Sequence, residues 1–184
     1  MLPTAARFKY LYLAYLSKPS NDRALYRMIR KHKVRKILEL GMGKGLRARR
    51  MIELAMQVKF DKPVWYTAVD LFEMRPAEVL PGVALKLAHR DLQTTGAKVR
   101  LLPGDPFSTL SRAANTIGPQ DLIVISADQD RESLARAWFY MPRMLHDQSR
   151  LFVEESEGDG RCALRLMPRA EIEQLAADTR RRAA

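Results

Sequence analysis

The chain has 184 residues with 47% hydrophobic side chains, enough for one domain with a sizeable core and too few for two. Its 32 Lys and Arg against 21 Asp and Glu give a net charge of +11 and a pI of about 10.1, which leaves nucleic acid open as a partner. No apolar run reaches membrane-span length, the lone Cys162 cannot form an internal disulfide, and three scattered histidines make no zinc constellation, so a cytoplasmic protein with no membrane partner and no metal is expected.

The run YLYLAYL at 10–16 reads as a helix packed on the domain, because no small-residue cleavage pattern follows it. Ser20 or Asn21 can cap a helix over 22–32, with Leu25, Met28 and Ile29 at helical spacing. A first strand at 35–40 runs into a helix over 45–58 that places Met51, Ala55 and Val58 on one face. The second strand, 64–70, is rich in aromatic and β-branched residues. Pro76, Pro81 and Gly82 then break the chain before a helix over 83–95. The third strand is 98–102, followed by a Pro103-Gly104 turn and a helix over 107–116. The fourth, 121–126, is a near-continuous apolar run, as burial on both faces requires.

A helix over 131–146 carries Leu134, Trp138, Met141 and Leu145 as a stripe, and Pro142 should kink it. The fifth strand is 150–155. The turn-rich SEGDGR is too short for a crossover helix, so 162–167 should return as an antiparallel hairpin before a last helix over 169–181. Five strands alternating with helices imply a Rossmann-like three-layer α/β/α sandwich, mostly parallel, with one antiparallel C-terminal strand. The parts are N-terminal helices over 1–33, a ligand-binding core over 34–155, and a short strand and helix over 156–184.

Residues 35–45, RKILELGMGKG, join a strand to three alternate glycines. Glycine there reaches positive φ and lets a ligand approach backbone N–H groups at the strand's carboxyl edge. The P-loop code fails, since position 38 is Leu and Lys44 is followed by Gly45. The dinucleotide code needs glycine at 46, where Leu46 stands. The pattern ExGxGxG is met in full by Glu39, Gly41, Gly43 and Gly45.

With these residues the chain resembles the class I S-adenosylmethionine-dependent methyltransferases, over about 34–155. ELGMGKG, Asp70 in TAVDLF, Asp105 in PGDPFSTL, and DLIVISADQD through RLFVEES stand in the family's order. The resemblance implies a cofactor site of Glu39, Gly41, Gly43, Gly45, Asp70, Leu71, Asp105 and Ser126, with Asp70 accepting from ribose hydroxyls and Asp105 beside adenine. Asp70 and Asp105 could each instead serve as turn or helix caps. Trp65 and Trp138 read as core packing, and His32, His89 and His146 as surface positions on helices.

Two departures follow. The family's metal-dependent branch ends strand four in an Asp, where Ser126 stands, and a related branch has a His where Gln129 stands. That leaves Asp128, Glu154 and Glu155 as carboxylates at the sheet edge, with Asp128 the candidate beside the methyl group and no metal assigned. The expected activity is metal-independent methyl transfer to a small-molecule acceptor. The alternatives are a non-catalytic cofactor-binding relative and, on the +11 charge, a nucleic-acid methyltransferase. The family closes its sheet with two further strands and this chain supplies one, which leaves an edge open to a homodimer.

Overall fold

The computed structural model describes residues 4–58, 62–76, 82–158 and 161–183. Six strands form one sheet: β1 Lys36–Leu40, β2 Trp65–Asp70, β3 Lys98–Pro103, β4 Gln120–Ile125, β5 Leu145–Gly158 and β6 Arg161–Met167. Their order is β3-β2-β1-β4-β5-β6, with β1 to β5 parallel and β6 antiparallel to β5. The reversal between β1 and β4 puts a crevice at the carboxyl ends of the strands, where such sheets bind ligands.

The helices are α1 Thr4–Leu11, α2 Arg23–His32, α3 Leu46–Val58, α4 Leu85–Gln93, α5 Pro106–Ile117, α6 Arg131–Ala137 and α7 Arg169–Ala183. The two-residue period of the strands divides the core. Ile37, Tyr66, Ala68, Leu122 and Val124 face Leu25, Ile29, Met51, Ile52 and Leu92 of α2, α3 and α4. Leu38, Leu40, Val69, Ile123 and Ile125 face Leu110, Trp138, Met141 and Ile172 on the other side. A strand buried on both faces has no polar position to spare, which is why β4 reads as a continuous apolar run.

Several expectations need correction. The 131–146 helix is α only over Arg131–Ala137 and continues as a 3-10 segment over Trp138–Met144, which holds Pro142. Proline has no N–H for an i→i−4 bond, so the tighter winding is the local solution. β5 begins at Leu145, so His146 lies on a strand, its ring nitrogen 3.0 Å from Asp121. Helix α2 is preceded by Asp22 with no side-chain cap bond, and Asn21 instead donates to Glu154.

Trp65 is 46% exposed under the Lys98 ammonium and is not core, whereas Trp138 is buried as expected. The run 10–16 continues α1 as a π-helical turn over Tyr12–Leu16 and buries Leu13 and Ala14. Phe8, Leu11, Tyr12, Tyr15 and Leu16 on its other side face outward. Pro81, expected as a breaker, and Asp159 and Gly160 of the hairpin turn lie outside the described residues.

Candidate cofactor cleft

Neighbouring strand ends are tied by backbone bonds that fix the cleft. The Gly41 N–H donates to Val69 O, Gly104 N–H to Asp70 O, and Ser126 N–H to Leu40 O, at 2.8–2.9 Å. Beyond β1, Gly41, Gly43 and Gly45 all take positive φ, at 87°, 57° and 79°. At Gly41 the space is also closed, since a Cβ would stand 2.7 Å from Ser126 Cβ. Any side chain at 41 would therefore be strained twice.

Asp70 ends β2 with a fully buried carboxylate that accepts four hydrogen bonds. Its Oδ1 accepts from Phe72 N–H at 2.8 Å and Arg75 Nε at 2.7 Å. Its Oδ2 accepts from Gly43 N–H at 3.0 Å and Arg75 Nη2 at 2.5 Å. The bond to Phe72 holds that residue at a φ of 52°, which turns the chain so that Arg75 folds back over Asp70. Arg75 reaches on to pair with Asp128, and Gln129 Nε2 donates to Asp128 Oδ1 at 2.8 Å. Burial alone would raise the Asp70 and Asp128 carboxyls, but these hydrogen bonds outweigh it and hold both below the ordinary range.

A cavity of 240 Å³ opens beside this cluster, lined by Leu71, Arg75, Gly104, Asp105, Pro106 and Asp128 among others. Asp105 caps α5, accepting from Ser108 N–H at 3.0 Å, with further bonds from the Ser108 and Ser133 hydroxyls. Burial opposes these bonds but loses to them, and the carboxyl sits down at about 2. The capping alternative is thus met at Asp105, and the same side chain borders the cavity.

The remaining sequence candidates sit elsewhere. Glu39 is fully buried on the α3 side of the sheet, accepting from Arg47 Nε at 2.7 Å and Tyr66 Oη at 2.5 Å. Burial pushes its carboxyl upward against both partners. Gly45 borders a separate cavity with Met42, Lys44 and Val83. Glu155 pairs with Arg165 of β6. Glu154 is more integrated: it accepts from Ser126 Oγ at 3.1 Å and from Asn21, and pairs with Arg47 at 3.3 Å.

Arg47 and Arg75 were not singled out by sequence reasoning. Arg47 belongs to the basic run Lys44, Arg47, Arg49 and Arg50, which on charge alone suits a solvated surface, yet its side chain is 14% exposed among Glu39, Glu154 and Asp22. Arg49 of the same cluster pairs with Glu53 and Asp91. Arg75 had one sequence signal, an arginine five residues past the strand-end aspartate. No group of three or more His, Cys, Asp or Glu that could hold a metal occurs among the described residues.

No protein-family model and no curated protein matches the sequence. Solved structures do match. The O-methyltransferase TomG from Streptomyces achromogenes, involved in tomaymycin synthesis and solved with S-adenosylmethionine, is 13% identical over 99% of this chain and 78% of its own, at a TM-score of 0.56. CalS11, a TDP-rhamnose 3′-O-methyltransferase of calicheamicin biosynthesis, is 17% identical over 85% of this chain and 72% of its own, at 0.57. An O-methyltransferase from Bacillus cereus, solved with S-adenosylhomocysteine, is 13% identical over 83% of this chain and 66% of its own, at 0.54. At such identities the likeness is one of fold: the chain has the class I S-adenosylmethionine-dependent methyltransferase fold.

Proposed function

We propose that the chain is a methyltransferase that uses S-adenosylmethionine to methylate a small-molecule acceptor without a metal. The observation that carries this reading is the convergence of Gly41, Gly43, Asp70, Leu71 and Asp105 on one end of a sheet with this topology. The neighbours' O-methyltransferase activities on small molecules support the acceptor class. When bound, the cofactor supplies a methyl group already activated on a sulfonium.

The residues present fit the cofactor on one condition. The 240 Å³ cavity is smaller than the roughly 300–1,000 Å³ usual for such ligands, and the shortfall coincides with the Arg75 guanidinium between Asp70 and Asp128. With Arg75 turned out, Asp70 is free to accept from a vicinal diol while keeping its bonds from Gly43 and Phe72. Leu71 and Asp105 would then hold adenine on its face and edge, and Gly41, Gly43 and Ser126 would line the sulfur end. Glu39 and Gly45 act on the loop from behind, Glu39 by anchoring Arg47 at the start of α3.

Asp128 stands against Gly41 and is the carboxylate in position to meet an acceptor. With Arg75 turned out, Asp128 keeps its bond from Gln129, and its role is to orient an O–H or N–H donor along the line of displacement. Calorimetry with S-adenosylhomocysteine tests the reading. Wild type is expected to bind, and Asp70→Asn to bind at least tenfold more weakly; no binding at millimolar ligand would overturn it. The occupied Asp70 favours one second reading, a relative of this fold that binds without turnover. Transfer of labelled methyl groups to an extract-derived acceptor would exclude that second reading.

A further inference from the structure

Between α5, α6, the 3-10 segment and α7 the chain builds a groove whose lining shares no residue with the cleft cavity. Its volume is 490 Å³, and it is lined by Phe107, Ala135, Arg136, Phe139, Tyr140, Thr179 and Arg182. These residues come from α5, α6, the 3-10 segment and α7, as far as 75 positions apart in the chain. Thr179 Oγ1 donates to Ala135 O at 3.0 Å and pins α7 to α6 across the groove.

The floor is aromatic. Phe139 and Tyr140 meet edge to face with centroids 5.0 Å apart, and Phe107 lies 6.1 Å from Tyr140. The rim is cationic: the Arg136 guanidinium sits 3.7 Å from the Phe107 centroid, Arg143 within 5.4 Å of both Phe139 and Tyr140, and Arg180 5.7 Å from Phe139. Stacking on a ring holds a guanidinium in place while leaving its N–H fork open to an anion. Among the described residues no carboxylate pairs with Arg136, Arg180 or Arg182, whereas the adjacent Arg181 is paired with Asp178.

We propose that this groove binds single-stranded nucleic acid, with bases against Phe139 and Tyr140 and phosphates on Arg136, Arg180 and Arg182. Three facts favour that ligand over a simple organic anion. The chain carries +11 overall, Arg136 and Arg182 line the groove while Arg180 sits against the ring of its Phe139, and aromatic floors with basic rims are how sequence-tolerant strands are held. Sequence spacing hid the combination, since Phe107, Tyr140 and Arg182 belong to different elements. The inference concerns where the chain docks and is independent of the cofactor reading.

The test is fluorescence anisotropy of the full chain with fluorescein-labelled U12 and dT12 strands and a 12-base-pair duplex, without cofactor. The strands are expected to bind at least tenfold tighter than the duplex, and a preference between U12 and dT12 identifies the natural strand. Arg136→Ala/Arg182→Ala, both solvent-exposed positions, should weaken binding at least tenfold and lower the salt slope by about 1 to 2. Phe139→Leu, which keeps an apolar side chain but removes the ring, should weaken binding roughly 5- to 100-fold, the range of one lost stacking contact. Wild type failing to bind either strand, the double variant binding as wild type, equal affinity for duplex and strand, or uridine monophosphate competing as strongly as U12 would each overturn the proposal.

Discussion

With four hydrogen bonds already on its two oxygens, Asp70 can accept from a ligand only after losing Arg75. Arg75→Ala should therefore move two quantities in opposite directions. Breaking a buried pair costs about 3 kcal/mol of unliganded stability, while removal of the internal competitor should raise S-adenosylhomocysteine affinity roughly tenfold. Thermal melts and calorimetry on the same variant check both, and a loss of affinity would show Arg75 to be a ligand-binding group instead. Asp105→Ala removes the α5 cap and should cost about 1 kcal/mol by denaturant titration. Asp105 was legible because Gly104 and Pro106 flank it, and Asp70 because it ends a strand rich in aromatic and β-branched residues. Arg75 and Arg47 were not, because a long cationic side chain reaches its partner through a fold that one dimension does not contain.

Among the elements, the strands other than β5 were read within a residue or two, whereas β5 starts five residues before the expected 150. Ile123 lies in the centre of β4 with no exposure, and Ile123→Ala should cost about 2–5 kcal/mol. Leu166, exposed on the edge strand β6, should tolerate alanine within about 0.5 kcal/mol; urea unfolding of the two variants checks the contrast. The errors fell where periodicity weakens. Pro142 leaves a stripe of apolar residues intact while changing the winding beneath it, so spacing alone extended the helix to 146. At 8–16 two apolar stripes share one helix, and only packing decided that Leu13 and Ala14 face inward.

For the molecule as a whole, three carboxyls at the sheet edge, Asp70, Asp105 and Asp128, have pKa values lowered by folding. The unfolded chain then binds more protons than the folded one in acid, so their stabilisation is complete above about pH 4 and is lost as pH falls towards 2. Buried Asp22 and Glu39 carry the opposite sign, raised by desolvation, and oppose part of that loss. Melting temperatures measured from pH 6 to pH 2 should fall below pH 4, and Asp105→Ala should flatten the fall.

The amino-acid sequence by itself determined the alternation of strands and helices, the glycine loop and the antiparallel end of the sheet, because these follow from local backbone preference and burial period. Tertiary structure alone decided which charges are free. It turned Arg47 and Arg75 inward against carboxylates, left Arg136 and Arg180 on aromatic rings and Arg182 beside them facing solvent, and so separated a basic composition into an ion-paired interior and a cationic groove. Charge pairing depends on distance in space, and that distance is set only when the sheet brings remote segments together.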